Sequence, residues 1–282
     1  MATLMTADPT DIPDAIEPRG AAAYVAEFLG TFMLVLFVAV IVIVNSRDGL
    51  GFTDWAVIGL VHAFVLMLLV NSLGGTSGAH FNPAVTATLT ALRKITPADG
   101  LIYVIVQLAG AVAAALVAKA LLTDEGDFVH YGAVAVSPHT TKFGGFICEV
   151  IGTFTLMWAI MAAAVNPRAP RAWAGFMIGA ALGLGVMTFG FLTGAGFNPA
   201  RAFGPAIVSG EFGGVGTFLI VYIVGPLVGG LLAGTGYTAV VLRPQAAEYG
   251  ITDVAVGPEG ELIVERDIGR ERPGTRPIDK LD

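Results

Sequence analysis

Asn82 and Asn198 each stand in an Asn-Pro-Ala triplet. One lies in the stretch Gly-Ala-His-Phe-Asn-Pro-Ala from Gly78 to Ala84, the other in Gly-Ala-Gly-Phe-Asn-Pro-Ala-Arg from Gly194 to Arg201. Asparagine is a good helix N-cap, and proline suits the first helical position, where its missing N–H would have no partner anyway. The triplets Asn82-Pro83-Ala84 and Asn198-Pro199-Ala200 therefore each predict a helix start behind a glycine-rich turn. A helix start inside lipid is costly unless it lines a cavity, because its N–H groups lack partners there. It offers amide and backbone donors and the positive end of a helix dipole, a setting for a neutral molecule with lone pairs. One triplet alone is an ordinary capped helix. Two, 198 − 82 = 116 residues apart, ask for a common explanation.

The elements that must position these triplets are membrane helices. Only 13% of the 282 residues are charged, against about 25% in a soluble domain, and the mean hydropathy is +0.76. Apolar runs predict six spans, at about 22–44, 55–73, 97–122, 144–165, 172–190 and 215–241. The runs from Asn82 to about Leu92 and from Asn198 to about Ser209 are too short for a hydrocarbon core that needs about 20 residues, so they predict half-helices. Between Thr123 and Lys142 the chain carries Asp124, Glu125 and Asp127 and reads as an aqueous loop.

The halves repeat. Ala26-Glu27-Phe28-Leu29-Gly30-Thr31-Phe32 lies over Cys148-Glu149-Val150-Ile151-Gly152-Thr153-Phe154, an offset of 149 − 27 = 122, close to that of the triplets. The expected fold class is an all-α membrane protein: six transmembrane helices plus two re-entrant half-helices, in an inverted repeat. Three spans per half is odd, so the second half enters from the other face. Repeat one is expected over 22–122 and repeat two over 144–241, together a channel domain at 22–241 between an N-terminal tail (1–21) and an acidic, arginine-rich tail (242–282).

Arg19, the Arg93-Lys94 turn, the Arg168/Arg171 turn and Arg243 all fall on one side, opposite the acidic loop. The positive-inside rule then puts both termini in the cytoplasm. The C-terminal tail is expected to be disordered, with a hairpin around Gly257-Pro258-Glu259-Gly260 as the alternative. Before Ala21 the chain is acidic and has no apolar core of the signal-peptide kind, so the first span is expected to direct insertion.

The net charge of −7 argues against a nucleic-acid partner, and the single Cys148 leaves no disulfide framework or thiolate cluster within the chain. Cys148 reads as an inert, buried thiol. No Ser/His pair, metal-ligand cluster or phosphate loop is visible, so neither an enzyme nor a metal or other cofactor is expected.

With these residues in view, the chain resembles the aquaporin, or major intrinsic protein, family. The resemblance spans about 22–241 and is carried by Ser77 to Thr86, by Gly196 to Ala206, by the two Glu-x-x-Gly-Thr openings and by Gly225-Pro226. It implies a plasma-membrane channel for water and small neutral solutes, assembled as a homotetramer with one pore per subunit and excluding protons and ions. It also implies an outer filter of four positions, which fall on His62, Val186, Ala195 and Arg201 when counted from the triplets. The water-strict pattern has Phe, His, Cys and Arg there. The pattern here is similar to tonoplast-type aquaporins, and the smaller Val186 and Ala195 widen the expected solute range to ammonia or hydrogen peroxide.

Alternatives stay open at several positions. In another register of the second span, Phe64 would constrict the pore instead of His62, which would then be a packed core histidine. Glu27 and Glu149 read either as an ion relay or, as the resemblance implies, as braces for the re-entrant loops, with His80 as a further brace. Arg201 needs acceptors, and the nearest in sequence are carbonyls of the 190–196 turn. A glycerol facilitator would carry Asp after Arg201 and Pro-Leu before Gly225; Ala202 and Tyr222-Ile223 stand there instead, although Ile223 also departs from the water-type branch. A secondary transporter or ion channel is the alternative from another class, and it would need an unpaired charged coupling site.

Overall fold

The computed structural model describes residues 18–45, 52–248, 251–256 and 262–266. The expected features at 1–17 and at the 257–260 turn lie outside them. Two units are present, one covering Glu17–Tyr237 and the other holding the remaining described residues from Thr238 onward.

Among the described residues of the first unit every regular element is helical. Helices α1 (Ala21–Asn45), α2 (Phe52–Ser77), α3 (Pro83–Ala91) and α4 (Pro97–Leu121) make the first half. After α5 (Thr123–Phe128), the second half consists of α6 (Lys142–Ile160), α7 (Ala174–Thr193), α8 (Pro199–Ser209), α9 (Val215–Phe218) and α10 (Gly225–Tyr237). Among the described residues six spans are long and apolar enough to cross a membrane, the last beginning at Val215. The 25 residues of α1 reach about 37 Å at 1.5 Å per residue, enough for a core of about 30 Å. The half-helices α3 and α8, with 9 and 11 residues, reach only about half that depth. Thr96 and Thr141 cap α4 and α6 by accepting from the N–H groups of Asp99 and Gly144.

Two boundaries differ from expectation. The second span runs on to Ser77 because the chain stays helical through Gly74 and Gly75 until Gly78 turns it with φ of 87°. The 123–142 connection is not simply an aqueous loop. Its Tyr131 is 3% exposed and packs with Ala39, Ile43 and Ala118, and a Cβ on Gly132 would press on the backbone of Ala39. An aromatic ring and a glycine thus draw the loop down between α1 and α4.

Packing repeats with the same offsets as the sequence. Any side chain at Gly30 would run into the Phe81 ring, and any at Gly152 into the Phe197 ring. Gly110 lies against the Phe28 carbonyl, and Gly229 against that of Val150. The halves join where α2 crosses α7, at Gly59 and Ala63 against Gly179 and Gly183. Small residues at such crossings let helix backbones approach in lipid. Helix α6 ends in a π-helical turn, Met161–Val165, and another, Leu219–Val224, interrupts the last span between α9 and α10.

In the second unit, Arg243–Glu248 form α11, and β1 (Ile251–Val256) pairs antiparallel with β2 (Leu262–Arg266), with Val254 opposite Val264.

Candidate functional site

The turns ahead of the half-helices share an unusual backbone. Gly78, Ala79 and Phe81 have φ of 87°, 53° and 47°, and Gly194, Ala195 and Phe197 have 74°, 51° and 50°. Left-handed φ in alanine and phenylalanine persists only where the surroundings impose it. Here buried carboxylates do so. Glu27 Oε1 accepts from Ser77 Oγ at 2.7 Å and His80 N at 2.9 Å, and its Oε2 from Phe81 N at 2.7 Å and Gln107 Nε2 at 2.8 Å. Glu149 Oε1 accepts from Thr193 Oγ1 at 2.8 Å and Gly196 N at 2.9 Å, and its Oε2 from Phe197 N at 2.6 Å. Tyr103 and Tyr222 donate to the carbonyls of Ser77 and Thr193, each at 2.8 Å.

The strained turns bring the triplets together. Asn82 Nδ2 donates to the Phe197 carbonyl at 2.9 Å, and Asn198 Nδ2 to the Phe81 carbonyl at 2.8 Å. Each Oδ1 caps its own helix, accepting from Ala84 N and Ala200 N at 2.9 Å, with Arg201 N also reaching Asn198 at 3.3 Å. These partners fix which amide atom is which: oxygen faces N–H, nitrogen faces carbonyl. One N–H of each Nδ2 remains for a solute.

A cavity runs along this pair, lined by both asparagines, His62, His80 and Arg201, with aliphatic walls that include Leu34, Val38 and Leu182. Its volume is about 20 Å³, against the roughly 10–15 Å³ that one water requires. A wider vestibule of about 240 Å³ follows, lined by Val42, Trp55, Gly132, Gly190 and again Arg201. Arg201 is common to both and marks the narrow passage between them. Its guanidinium donates to the Gly132 carbonyl at 2.8 Å, so the draped loop, not the 190–196 turn, supplies the acceptor. Arg201 Nε and His62 Nε2 have no partner.

A family profile described as major intrinsic protein matches residues 17–237. The chain belongs to the major intrinsic protein family. It is 35% identical to aquaporin AqpM of Methanothermobacter thermautotrophicus, covering 76% of this chain and 94% of that one. It is also 35% identical to glycerol uptake facilitator protein-like 6 of Lactiplantibacillus plantarum, covering 74% and 94%. The fold is shared with the aquaglyceroporin structure from Plasmodium falciparum, at a TM-score of 0.68 and 22% identity over 80% of this chain and 98% of that one. As a family member the chain is a passive channel.

The residues singled out from the sequence fall into three places in this channel. His62, 2% exposed, is on the cavity wall, whereas Phe64 is 57% exposed. Val186 is fully buried on the α7 face between Leu182, which lines the cavity, and Gly190, which lines the vestibule; Ala195 is 1% exposed, and neither is on the cavity lining. Glu27 and Glu149 stand behind the loops, off the cavity. His80 lines the cavity and also has Nδ1 3.1 Å from Thr86 Oγ1, with its ring edge-on to Tyr103. Cys148 is a free, buried thiol. Gln107, Tyr103, Gly132 and Trp55 were not singled out, and Tyr222 only as a departure from the glycerol-facilitator pattern. Of these, the two tyrosines had a signal, since they recur at an offset of 222 − 103 = 119 residues.

Proposed function

We propose that the chain conducts water, with small neutral solutes such as ammonia or hydrogen peroxide beside it, and excludes protons and ions. The observation that carries this reading is the passage between His62 and Arg201. His62 Nδ1 lies 2.8 Å from the Ile58 carbonyl and so must donate, which leaves Nε2 as an acceptor in the neutral ring. Arg201 lines the same cavity and offers a fixed cation and an Nε–H that has no partner among the described residues. A small molecule that both accepts and donates can exchange its hydrogen bonds with water for these two. A hydrated cation meets the guanidinium instead.

At the asparagine pair the pore offers donors only. A water there accepts from the remaining Nδ2 hydrogens, and both its own hydrogens point away along the file, so no continuous proton chain runs through it. The inward N-termini of α3 and α8 oppose cations at the same level.

The filter set His62, Val186, Ala195 and Arg201, of which His62 and Arg201 line the cavity while the small Val186 and Ala195 are buried beside it, favours a tonoplast-like water branch with a wider solute range than the strict pattern. Glu27, Glu149 and His80 then act as loop braces and not as an ion relay, in keeping with the hydrogen bonds above. One pore per subunit of a homotetramer, a plasma-membrane location and cytoplasmic termini complete the reading, the last on the side bearing Arg19, Arg93, Lys94, Arg168 and Arg171. A glycerol facilitator is the second reading, favoured by the likeness to the relative named for glycerol uptake. Stopped-flow light scattering on proteoliposomes separates the two: water permeability well above glycerol permeability supports the first, and the reverse order supports the second. Permeability to neither above empty vesicles would sink both.

A further inference from the structure

A second cavity of the channel unit lies apart from the pore. It is a groove of about 690 Å³ on the outer surface, between the first turn of α6 and the α9 end of the last span. The geometry points to a binding site for one anionic phospholipid, its acyl chain in the groove and its phosphate on Lys142.

Position comes first. Lys142 and Val215 begin two of the six membrane spans, so the groove opens at the depth where headgroups meet hydrocarbon. By the distribution of basic residues this is the outer end, where Lys142 is one of few cations. Its walls are apolar and open to the surroundings: Phe143, Val215 and Ile220 are 71%, 65% and 58% exposed. The groove exists because glycine lines it. At Gly216 an added Cβ would find nothing within 4 Å, and at Gly214 nothing nearer than Thr217 Oγ1 at 3.8 Å. A volume of this size is that of a site for a discrete ligand.

Charge then selects the headgroup. Lys142 makes no ion pair or hydrogen bond through its side chain among the described residues, and no acidic residue lines the groove. The lysine also stands at the end of α6 where the dipole disfavours a cation, and the first turn of that helix holds no acid to offset it. A phosphodiester bearing a net negative charge relieves this. A zwitterionic headgroup does so only in part. Thr217, whose hydroxyl has no partner among the described residues, adds a donor at the same rim.

The test is native mass spectrometry of the purified, delipidated full chain titrated with phosphatidylglycerol or phosphatidylcholine. One phosphatidylglycerol per chain should persist at activation energies that strip phosphatidylcholine. Lys142→Gln should weaken phosphatidylglycerol retention about fivefold, the effect of one basic residue at a membrane surface, and leave phosphatidylcholine unchanged. Gly216→Leu, which fills the open space, should weaken both. Neither residue lines the channel, so water permeability of the variants reports folding. Equal retention of the two lipids overturns the proposal, as does unaltered binding in Lys142→Gln. Efficient disulfide cross-linking of Gly216→Cys between chains also overturns it, since a second copy of the chain would then occupy the groove.

Discussion

Gln107 donates to Glu27 Oε2 at 2.8 Å, and the matching position of the second half, 107 + 119 = 226, holds Pro226, which has no side-chain donor. The two loop braces, otherwise superimposable partner for partner, are therefore unequal. Glu27 accepts four hydrogen bonds and Glu149 three. Gln107 also donates to Thr86 Oγ1 at 3.0 Å, tying the first loop to the first turn of α3.

Removing that donor should therefore cost stability in the first half. Gln107→Leu leaves a buried carboxylate oxygen short of one charge-assisted bond, worth about 1.5–3 kcal/mol. Thermal unfolding in detergent should show a lowered midpoint, with water permeability of the surviving protein retained. An unchanged midpoint would mean that the other three donors hold Glu27 without it.

The glycines beneath the loops give a symmetric prediction. Gly30→Ala and Gly152→Ala each drive a Cβ into a phenylalanine ring, Phe81 or Phe197, and overpacking costs about 1–3 kcal/mol. Both variants should lower the yield of monodisperse protein to a similar degree. A defect in one half only would contradict the equivalence of the two loops.

At the constriction, Arg201→Ala removes bulk, charge and the bond to the Gly132 carbonyl together. Glycerol influx and proton leak, measured on the same proteoliposomes, should both rise. If neither changes, Arg201 is not in the filter.

His62→Phe keeps the bulk and removes the free acceptor. Ammonia permeation, followed with a pH-sensitive dye, should fall relative to water permeation. A ratio equal to the wild type would show that Nε2 plays no part in solute choice.

The half-helices were readable because Asn-Pro is a local signal whose cause lies within two residues. The pairing of the halves was readable because a buried Glu-x-x-Gly-Thr opening recurs with nearly the triplet spacing. The partner of Arg201 was not, since Gly132 lies 69 residues away in a stretch that reads as polar loop. Only the burial of Tyr131 draws it inward, and one aromatic residue in a loop carries no such sign. Gln107 looked like any polar residue in an apolar span, because nothing local marks it as facing Glu27. The π-helical turn at Leu219–Val224 has a local sign that the reading of the sequence did not use. It stands just ahead of Pro226, which has no N–H to give the Tyr222 carbonyl.

Water and proton flux measured together on one preparation of proteoliposomes bear most directly on the pore built from Asn82, Asn198, His62 and Arg201. The account predicts osmotic shrinkage several-fold faster than in empty vesicles, with an internal pH dye relaxing no faster than in those vesicles. Shrinkage at the empty-vesicle rate, or proton flux rising in step with water, would contradict it.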